Sequence, residues 1–243
     1  MSPTFDLVLI CGRRPALLAR TLASFETQVF RNFSFANVIA NIDPFCGTAE
    51  DGEKCRDLIL SYFPDARIFQ PEAPGFCAAV IRVWQQTNSD IVLHLEDDWL
   101  VLEPITADRV VPELTGDVKS LTCMTATKNT RNKAFQTCRR RVCTAEGVEE
   151  DVFLNAFSTS PAFFAGDFVR HAAAVMNPAL DPEKQFFRSL NPELEAYAFQ
   201  FRCKFLFGKE NIFLVQDIGR EWRDEQKLGK WLVRGQSVWA PLE

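Results

Sequence analysis

The sequence lacks several features that would assign it to a special class of protein. It has no apolar run close to the roughly 20 residues that a membrane helix requires. Its first residues, MSPTFDLVLICGRRP, have no basic segment before the apolar run and no small-residue cleavage site, so we expect no signal peptide. We find no linker, low-complexity tract or internal repeat. These absences predict a soluble protein with a single domain.

Cysteine is frequent, but the spacing of the cysteines does not match a zinc site or a Cys-x-x-Cys redox motif. None of the eight cysteines forms a Cys-x-x-Cys pair or has a histidine at zinc spacing. A chain of 243 residues buries a core of its own and does not need disulfides. We therefore expect free thiols in a reducing compartment, and a cytoplasmic location.

Charge is distributed unevenly along the chain. The whole sequence carries 27 basic and 32 acidic residues, which gives a formal net charge of −5. Residues 118–145 contain seven basic residues and no acidic one. This segment indicates either an anionic ligand nearby or a solvated basic loop. Its basic residues are Lys119, Lys128, Arg131, Lys133, Arg139, Arg140 and Arg141.

The first hundred residues alternate between short apolar runs and helical patterns. Residues 6–11 (DLVLIC) are typical of a strand that is buried on both faces. Leu18, Leu22 and Phe25 then recur at helical spacing. This alternation predicts an α/β fold with a central, mainly parallel sheet flanked by helices. The predicted strands span 6–11, 35–42, 66–69 and 91–95, and the predicted helices span 16–25, 50–62 and 77–86.

The pattern is less regular in the second half. We predict a loop for the acidic residues Glu149, Glu150 and Asp151. The other predicted strands lie near 118–125 and 160–165 and at 212–215, and the other predicted helices lie near 168–176 and 192–206.

The most informative segment is a run of three acids, Glu96, Asp97 and Asp98, directly after a predicted strand. Three adjacent carboxylates repel one another unless a cation balances them. At the carboxyl end of a buried strand they lie at the edge where open α/β sheets bind ligands. Their oxygens suit Mg²⁺ or Mn²⁺, which can hold a diphosphate and neutralise a leaving phosphate. The alternative is an acidic first turn of a helix.

The order of these patterns resembles the GT-A-type nucleotide-sugar glycosyltransferases, most closely the inverting family-2 enzymes. The resemblance rests on VLICGRRPALLARTLASFETQ, on Asp43 after the second strand, and on PGFCAAVIRVWQQTNSDIVLHLEDDW. It covers residues 6–102 well and the rest loosely. It implies one GT-A-like (Rossmann-like) domain over residues 1–243, in which 6–102 bind the nucleotide sugar and 103–243 hold the acceptor and catalytic groups.

The resemblance also assigns roles in donor binding. It implies that Asp43 pairs with the nucleotide base and that Gly75 lets the backbone approach the donor closely. Asp98 would bind Mn²⁺ or Mg²⁺ and the diphosphate. The ribose role is open between Glu96 and Asp97, with Asp97 preferred, because the first acid is Glu where the family has Asp. The pocket-lining residues implied are Cys11, Gly12 and Arg13.

An inverting transfer needs a base that deprotonates the acceptor hydroxyl. In the family this base is a carboxylate in an acidic pair at the start of a helix. The segment NPELE fits, with Glu193 as the preferred base and Glu195 as the second choice. Here Leu194 separates the two acids, whereas the family pair is adjacent. Ordinary helix N-terminal charges are the alternative.

The segment DIGREWR carries the remaining candidates. Arg220 and Arg223 could clamp the diphosphate, because a guanidinium group matches phosphate oxygens. Many relatives place a metal-binding histidine in this region, but this chain has none after His171. Asp217 is therefore our candidate for a further metal contact. A surface ion-pair network is the alternative.

The leading hypothesis is a metal-dependent glycosyltransferase, a hexosyl- or pentosyltransferase, that uses a nucleoside-diphosphate sugar and inverts the anomeric centre. The acceptor would be a glycan or protein glycan, or a polyanion such as a modified DNA base. The alternatives are a nucleotidyltransferase of similar fold and a non-catalytic module that binds nucleotide sugars.

Overall fold

The computed structural model describes residues 3–126, 134–143, 147–210 and 212–242. The strands are β1 (Phe5–Cys11), β2 (Phe35–Ile42), β3 (Arg67–Phe69), β4 (Ile91–Glu96), β5 (Trp99–Val101), β6 (Val118–Cys123), β7 (Thr137–Cys143), β8 (Glu149–Asn155), β9 (Ala162–Ala165), β10 (Arg202–Leu206), β11 (Val215–Asp217), β12 (Leu228–Val233) and β13 (Gln236–Pro241). The α-helices are α1 (Pro15–Gln28), α2 (Ala49–Tyr62), α3 (Phe76–Trp84), α4 (Ala107–Val110), α5 (Gly166–Val175), α6 (Pro192–Ala198) and α7 (Gly219–Glu225).

A seven-stranded sheet forms the centre, in the order β10-β6-β9-β4-β1-β2-β3. Its neighbours pair in parallel except around β9, which runs antiparallel to both β4 and β6. Helices cover the sheet. The predicted α/β class with a central, mainly parallel sheet is therefore confirmed.

Strand β1 shows why an uninterrupted apolar run forms the middle of this sheet. Leu7 and Leu9 pack into one core cluster, which includes residues of α1 and α2. Val8 and Ile10 pack into the second cluster, which includes residues of α3 and α5. Successive side chains of a strand point to opposite faces, so a strand covered on both faces must be apolar at every position.

Two elements predicted for the second half of the chain have different boundaries in the structure. The helix expected at 192–206 ends at Ala198, and β10 follows from Arg202. Cys203 and Phe205 alternate with half-buried polar residues, which is the period of a strand at a sheet edge. The strand expected at 212–215 lies at Val215–Asp217, where it pairs with β5.

The positive charge of the basic segment is partly balanced by nearby acids. Strand β7 pairs with β8, so the acids predicted to form a loop lie in a strand opposite the arginines. Arg139 approaches Asp151 at 3.3 Å, and Arg141 approaches Glu149 at 3.4 Å. Three further basic residues of the segment lie outside the described residues: Lys128, Arg131 and Lys133.

A C-terminal hairpin of β12 and β13 completes the structure. Its two-residue turn has positive φ at Arg234 (50°) and Gly235 (82°), as a type I′ turn requires. Gln236 donates to the carbonyl of Ala179 at 2.6 Å, and the N–H of Asp181 donates to the carbonyl of Gly235 at 2.7 Å. The hairpin is thus attached to the segment that follows α5.

Within the described residues, no helix is both long and apolar enough to cross a membrane.

Candidate active site

A cavity of about 810 Å³ opens at the carboxyl ends of β1, β2 and β4. This edge is where ligands bind in open α/β sheets, because the loops that follow neighbouring parallel strands converge there. The cavity wall contains most of the residues that the sequence predicted for the site. They are Cys11, Gly12, Asp43, Gly75, Glu96, Asp97, Asp98, Asp217, Arg220 and Arg223.

Helix α1 holds the acidic turn after β4 in place. The hydroxyl of Thr21 donates to the carbonyl of Asp97 at 2.8 Å and accepts the N–H of Trp99 at 3.1 Å. Thr21 is fully buried, so both bonds are shielded from water. The turn therefore presents its carboxylates to the cavity in a fixed geometry.

Asp97 is 1% exposed and is bound from two sides. The N–H of Gly12 donates to its Oδ2 at 3.0 Å, and the guanidinium of Arg14 forms an ion pair with both of its oxygens. Burial raises the pKa of Asp97, while Arg14 and the Gly12 N–H oppose the rise. Burial lowers the pKa of Arg14, but its carboxylate partners raise it by more, to a net value above its ordinary range. Arg14 therefore stays charged.

Asp98 is the second aspartate of the turn, and its pKa is also raised. Arg14 approaches its Oδ2 at 3.2 Å, and the N–H of Ile218 donates to its carbonyl at 2.9 Å. Burial, followed by the charge of Asp97, raises the pKa of Asp98 to about 8, with Glu96 and Asp217 adding to the rise. One arginine thus does not balance the negative charge collected here.

Glu96 contributes an oxygen without a partner. Its Oε1 is buried and accepts no hydrogen bond from the part of the chain that the structure describes, and it lies 3.8 Å from Nε2 of His94. His94 is fully buried, and its Nδ1 accepts the indole N–H of Trp84 at 3.1 Å. His94 therefore lies behind the acidic turn, where it supports Glu96.

Strand β11 brings Asp217 to the same corner, since Asp217 pairs with Trp99 in the antiparallel ladder. The Oδ1 of Asp217 accepts the N–H groups of Gly219 at 3.0 Å and Arg220 at 3.2 Å. Its Oδ2 pairs with the Arg220 guanidinium at 3.0 Å. Asp217 therefore caps the start of α7 while facing Asp98.

Asp43 forms the opposite end of the cavity wall. One of its oxygens accepts the N–H of Gly75 at 2.8 Å, and the other, Oδ1, is buried and has no partner among the described residues. Burial raises the pKa of Asp43, and the backbone N–H groups of Gly75 and Phe45 oppose the rise. An unused acceptor at this position can bind one N–H group of a ligand.

Three predicted residues do not contribute to the cavity wall among the described residues. Arg13 points towards α2, where its side chain lies against Gly52, and Arg14 lines the cavity at the position that we predicted for Arg13. Glu193 is exposed on α6. Glu195 is buried and binds the Arg140 guanidinium at 2.7 Å and the N–H of Ser189 at 2.7 Å.

Sequence reasoning missed one whole side of the cavity. Trp239 of β13 lines it, with its ring 5.6 Å from Phe45 and 5.8 Å from the Arg223 guanidinium. The alternating pattern of KWLVRGQSVW around an Arg-Gly turn would have predicted this hairpin. Other cavity-lining residues that were missed include Arg14, Asp181, Glu183, Lys230 and Ser237.

Three solved structures are similar to this chain. GalNAc-T7 with UDP, GalNAc and Mn²⁺ matches at 14% identity and a TM-score of 0.56, over 84% of this chain and 42% of that one. A mannosyltransferase, PcManGT from Pyrobaculum calidifontis in complex with GDP-Man and Mn²⁺, matches at 13% identity and a TM-score of 0.56, over 93% and 61%. S. aureus TarS 1–349 matches at 13% identity and a TM-score of 0.53, over 86% and 59%.

The chain has the GT-A fold. The resemblance read from the sequence is therefore confirmed at the level of the fold. The chain spans between 42% and 61% of the length of these three GT-A structures. No protein-family model and no curated protein matches the sequence.

The carboxylates of the acidic turn fit a divalent cation that takes only one or two protein ligands, as Mg²⁺ does. In the described residues no three His, Cys, Asp or Glu side chains form a complete metal cluster. Mg²⁺, however, usually binds one or two carboxylates together with substrate phosphates and water. Asp98, with its raised pKa, and Glu96, with its unpartnered oxygen, supply this kind of incomplete set.

Gly219 leaves the space that Asp98 occupies. A Cβ at Gly219 would overlap Oδ2 of Asp98, although Gly219 itself has an ordinary helical position. We expect Gly219→Ala to displace the Asp98 carboxylate and to weaken Mn²⁺-dependent nucleotide binding at least tenfold, as measured by calorimetry. Gly116→Ala is the matched control, because a Cβ at Gly116 (φ +61°) would meet no other described atom within 4 Å. It should cost about 1–2 kcal/mol of stability, because alanine is disfavoured at positive φ, and it should leave binding unchanged; equal binding by both variants would contradict the prediction.

Proposed function

We propose that this protein is a metal-dependent glycosyltransferase that moves a sugar from a nucleoside-diphosphate donor to an acceptor hydroxyl with inversion. One observation carries the proposal: the acidic turn Glu96–Asp98, in which Asp97 is buried, lies in a cavity at the carboxyl edge of a GT-A sheet, opposite the unused oxygen of Asp43. Two structures of the same fold contain a nucleotide with Mn²⁺, UDP in one and GDP-Man in the other.

In this proposal each of these residues binds a different part of the nucleotide-sugar donor. Asp43 accepts an N–H of the base, and Asp97, held by Gly12 and Arg14, accepts one ribose hydroxyl. Asp97 can do so because a carboxylate has about four acceptor positions. Arg220 and Arg223 lie on α7 at the cavity, where their guanidinium groups would bind phosphate oxygens.

Asp98 would hold Mn²⁺ or Mg²⁺, with Asp217 and Glu96 beside it. Such an ion acts as a Lewis acid that stabilises the charge on the departing diphosphate. Asp98 must lose its proton to bind a cation, so we expect affinity for Mn²⁺ to rise with pH up to about 8, following its raised pKa.

The acceptor proposed is a glycan or a protein glycan. A polyanion such as a modified DNA base receives less support, because the described arginines of β7 pair with acids. None of the described residues between 118 and 145 lines the cavity.

A thermal-shift experiment tests the donor site. We expect UDP or GDP to raise the melting temperature only when Mn²⁺ is present. A ligand at 100 times its Kd stabilises by about 2.7 kcal/mol, which for a chain of this size corresponds to roughly 5–10 °C. Stabilisation by a nucleotide sugar without release of sugar or nucleotide would indicate a binding module. Release of inorganic pyrophosphate from a nucleoside triphosphate would indicate a nucleotidyltransferase.

A further inference from the structure

An inverting displacement needs its base on the far side of the sugar from the leaving diphosphate. This requirement rests on the function proposed above. Glu193 and Glu195, the bases expected from the sequence, do not line the cavity, and Glu195 is already bound by Arg140 and the Ser189 N–H. The base must therefore be a carboxylate that lines the cavity and that belongs to an element other than the acidic turn.

Seven carboxylates line the cavity in the described part of the chain, and five of them belong to the donor side. These five are Asp43 after β2, Glu96, Asp97 and Asp98 at the end of β4, and Asp217 on β11. The other two, Asp181 and Glu183, lie on the segment between α5 and α6. The choice of base is thus between Asp181 and Glu183.

Asp181 holds the segment in shape. Its Oδ1 accepts the N–H groups of Glu183 and Lys184, both at 3.0 Å, and its Oδ2 accepts the hydroxyl of Ser237. The side chain is 4% exposed. A buried carboxylate whose oxygens are already engaged by three donors is poorly placed to meet an acceptor hydroxyl.

Glu183 differs from Asp181 in these respects. Its side chain is 27% exposed, and its Oε2 pairs with the ammonium of Lys184. Two contacts hold the backbone around Glu183. The N–H of Glu183 donates to Asp181. Two residues later, Gln185 is fully buried and accepts the N–H of Asn177 at 2.8 Å. A rigid backbone with an accessible carboxylate is the arrangement that a general base needs.

We propose that Glu183 is the catalytic base. As the acceptor oxygen attacks the anomeric carbon, its O–H proton passes to an oxygen of Glu183. The bond between the anomeric carbon and the diphosphate oxygen breaks, and its electron pair leaves with the nucleoside diphosphate. Glu183 then returns the proton to water. Asp181 is a positioning residue, which holds Glu183 and joins its segment to the hairpin.

Glu183→Gln tests the assignment, with Glu193→Gln as the matched control. The probes are UDP-glucose, UDP-GalNAc and GDP-mannose with Mn²⁺, and water serves as the acceptor. We expect Glu183→Gln to lower the rate of sugar release by about 10²- to 10⁴-fold, with the donor Kd from calorimetry unchanged. Glu193→Gln should stay within about twofold of wild type, because its side chain is exposed outside the cavity.

The other outcomes separate the two proposals. Full activity of Glu183→Gln, or a loss in Glu193→Gln alone, overturns the assignment of Glu183. Wild-type protein that binds a donor but releases no sugar also overturns it, since a base facing a bound donor would activate water. Wild-type protein that binds none of the donors rejects the glycosyltransferase itself.

Discussion

Asp98→Asn should lower sugar release from a bound donor by about 10³-fold or more. Lewis-acid stabilisation of a leaving phosphate is worth several kcal/mol, and each ~1.4 kcal/mol is a factor of ten in rate. An amide in place of the carboxylate that faces Glu96, Asp97 and Asp217 is a much poorer ligand for a hard cation. The Mn²⁺-dependent rise in melting temperature with UDP or GDP should disappear with it.

The same substitution should make the metal-free protein more stable at pH 8. The pKa of Asp98 is about 8 in the folded protein, because of burial and then of Asp97, against about 3.8 for the ordinary side chain. Between these values the folded state binds more protons than the unfolded state, so the free energy of unfolding falls as pH rises. Asparagine carries no proton to lose and removes this fall.

Melting curves between pH 5 and pH 9 with chelator present measure this effect. Wild type should lose stability up to about pH 8 relative to Asp98→Asn, and each kcal/mol corresponds to about 2–4 °C. Asp65→Asn, at an exposed position, should follow the wild-type curve. An Asp98→Asn protein that melts below wild type at pH 8 would contradict the assignment of excess negative charge to this corner.

The sheet and the donor half of the site could be predicted because their signals are local. A strand covered on both faces must be apolar at each position, as β1 is, and Glu96, Asp97 and Asp98 follow directly after such a strand. Parallel strands present their carboxyl ends at one edge of the sheet. The sequence alone therefore predicts that Asp43 and Asp98 line the same cavity.

The remaining errors come from contacts between distant parts of the chain. The sequence has two adjacent arginines after β1, and only the packing of α2 shows that Arg13 turns away while Arg14 meets Asp97. Glu183 and Glu193 have similar sequence settings, because Asp181-Pro182 precedes the first and Asn191-Pro192 precedes the second. The attachment of Asp181 to Gly235 and Ser237, more than 50 residues later, brings its segment to the cavity.

Arg14→Met should produce the largest loss of stability of any substitution at the site. It leaves Asp97, which is 1% exposed, with the Gly12 N–H as its remaining side-chain partner. Removing one member of a buried ion pair costs about 3–5 kcal/mol, or very roughly 6–20 °C in melting temperature. The methionine also loses the contact of the guanidinium with the Trp222 ring, whose centroid lies 5.0 Å away.

Arg13→Met is the matched control, because it removes the same group one residue earlier. Arg13 lies against Gly52 outside the cavity, so its loss should cost less than about 1 kcal/mol. Adding Asp97→Asn to Arg14→Met should recover part of the stability, because the stranded charge is then gone, and residues in contact couple by about 0.5–3 kcal/mol. Urea unfolding of wild type, Arg14→Met, Asp97→Asn and the double variant measures this coupling. If Arg14→Met is as stable as Arg13→Met, or if the double variant shows no recovery, then burial of the Asp97 charge is not what Arg14 offsets, and Asp97 must be neutral in the folded protein.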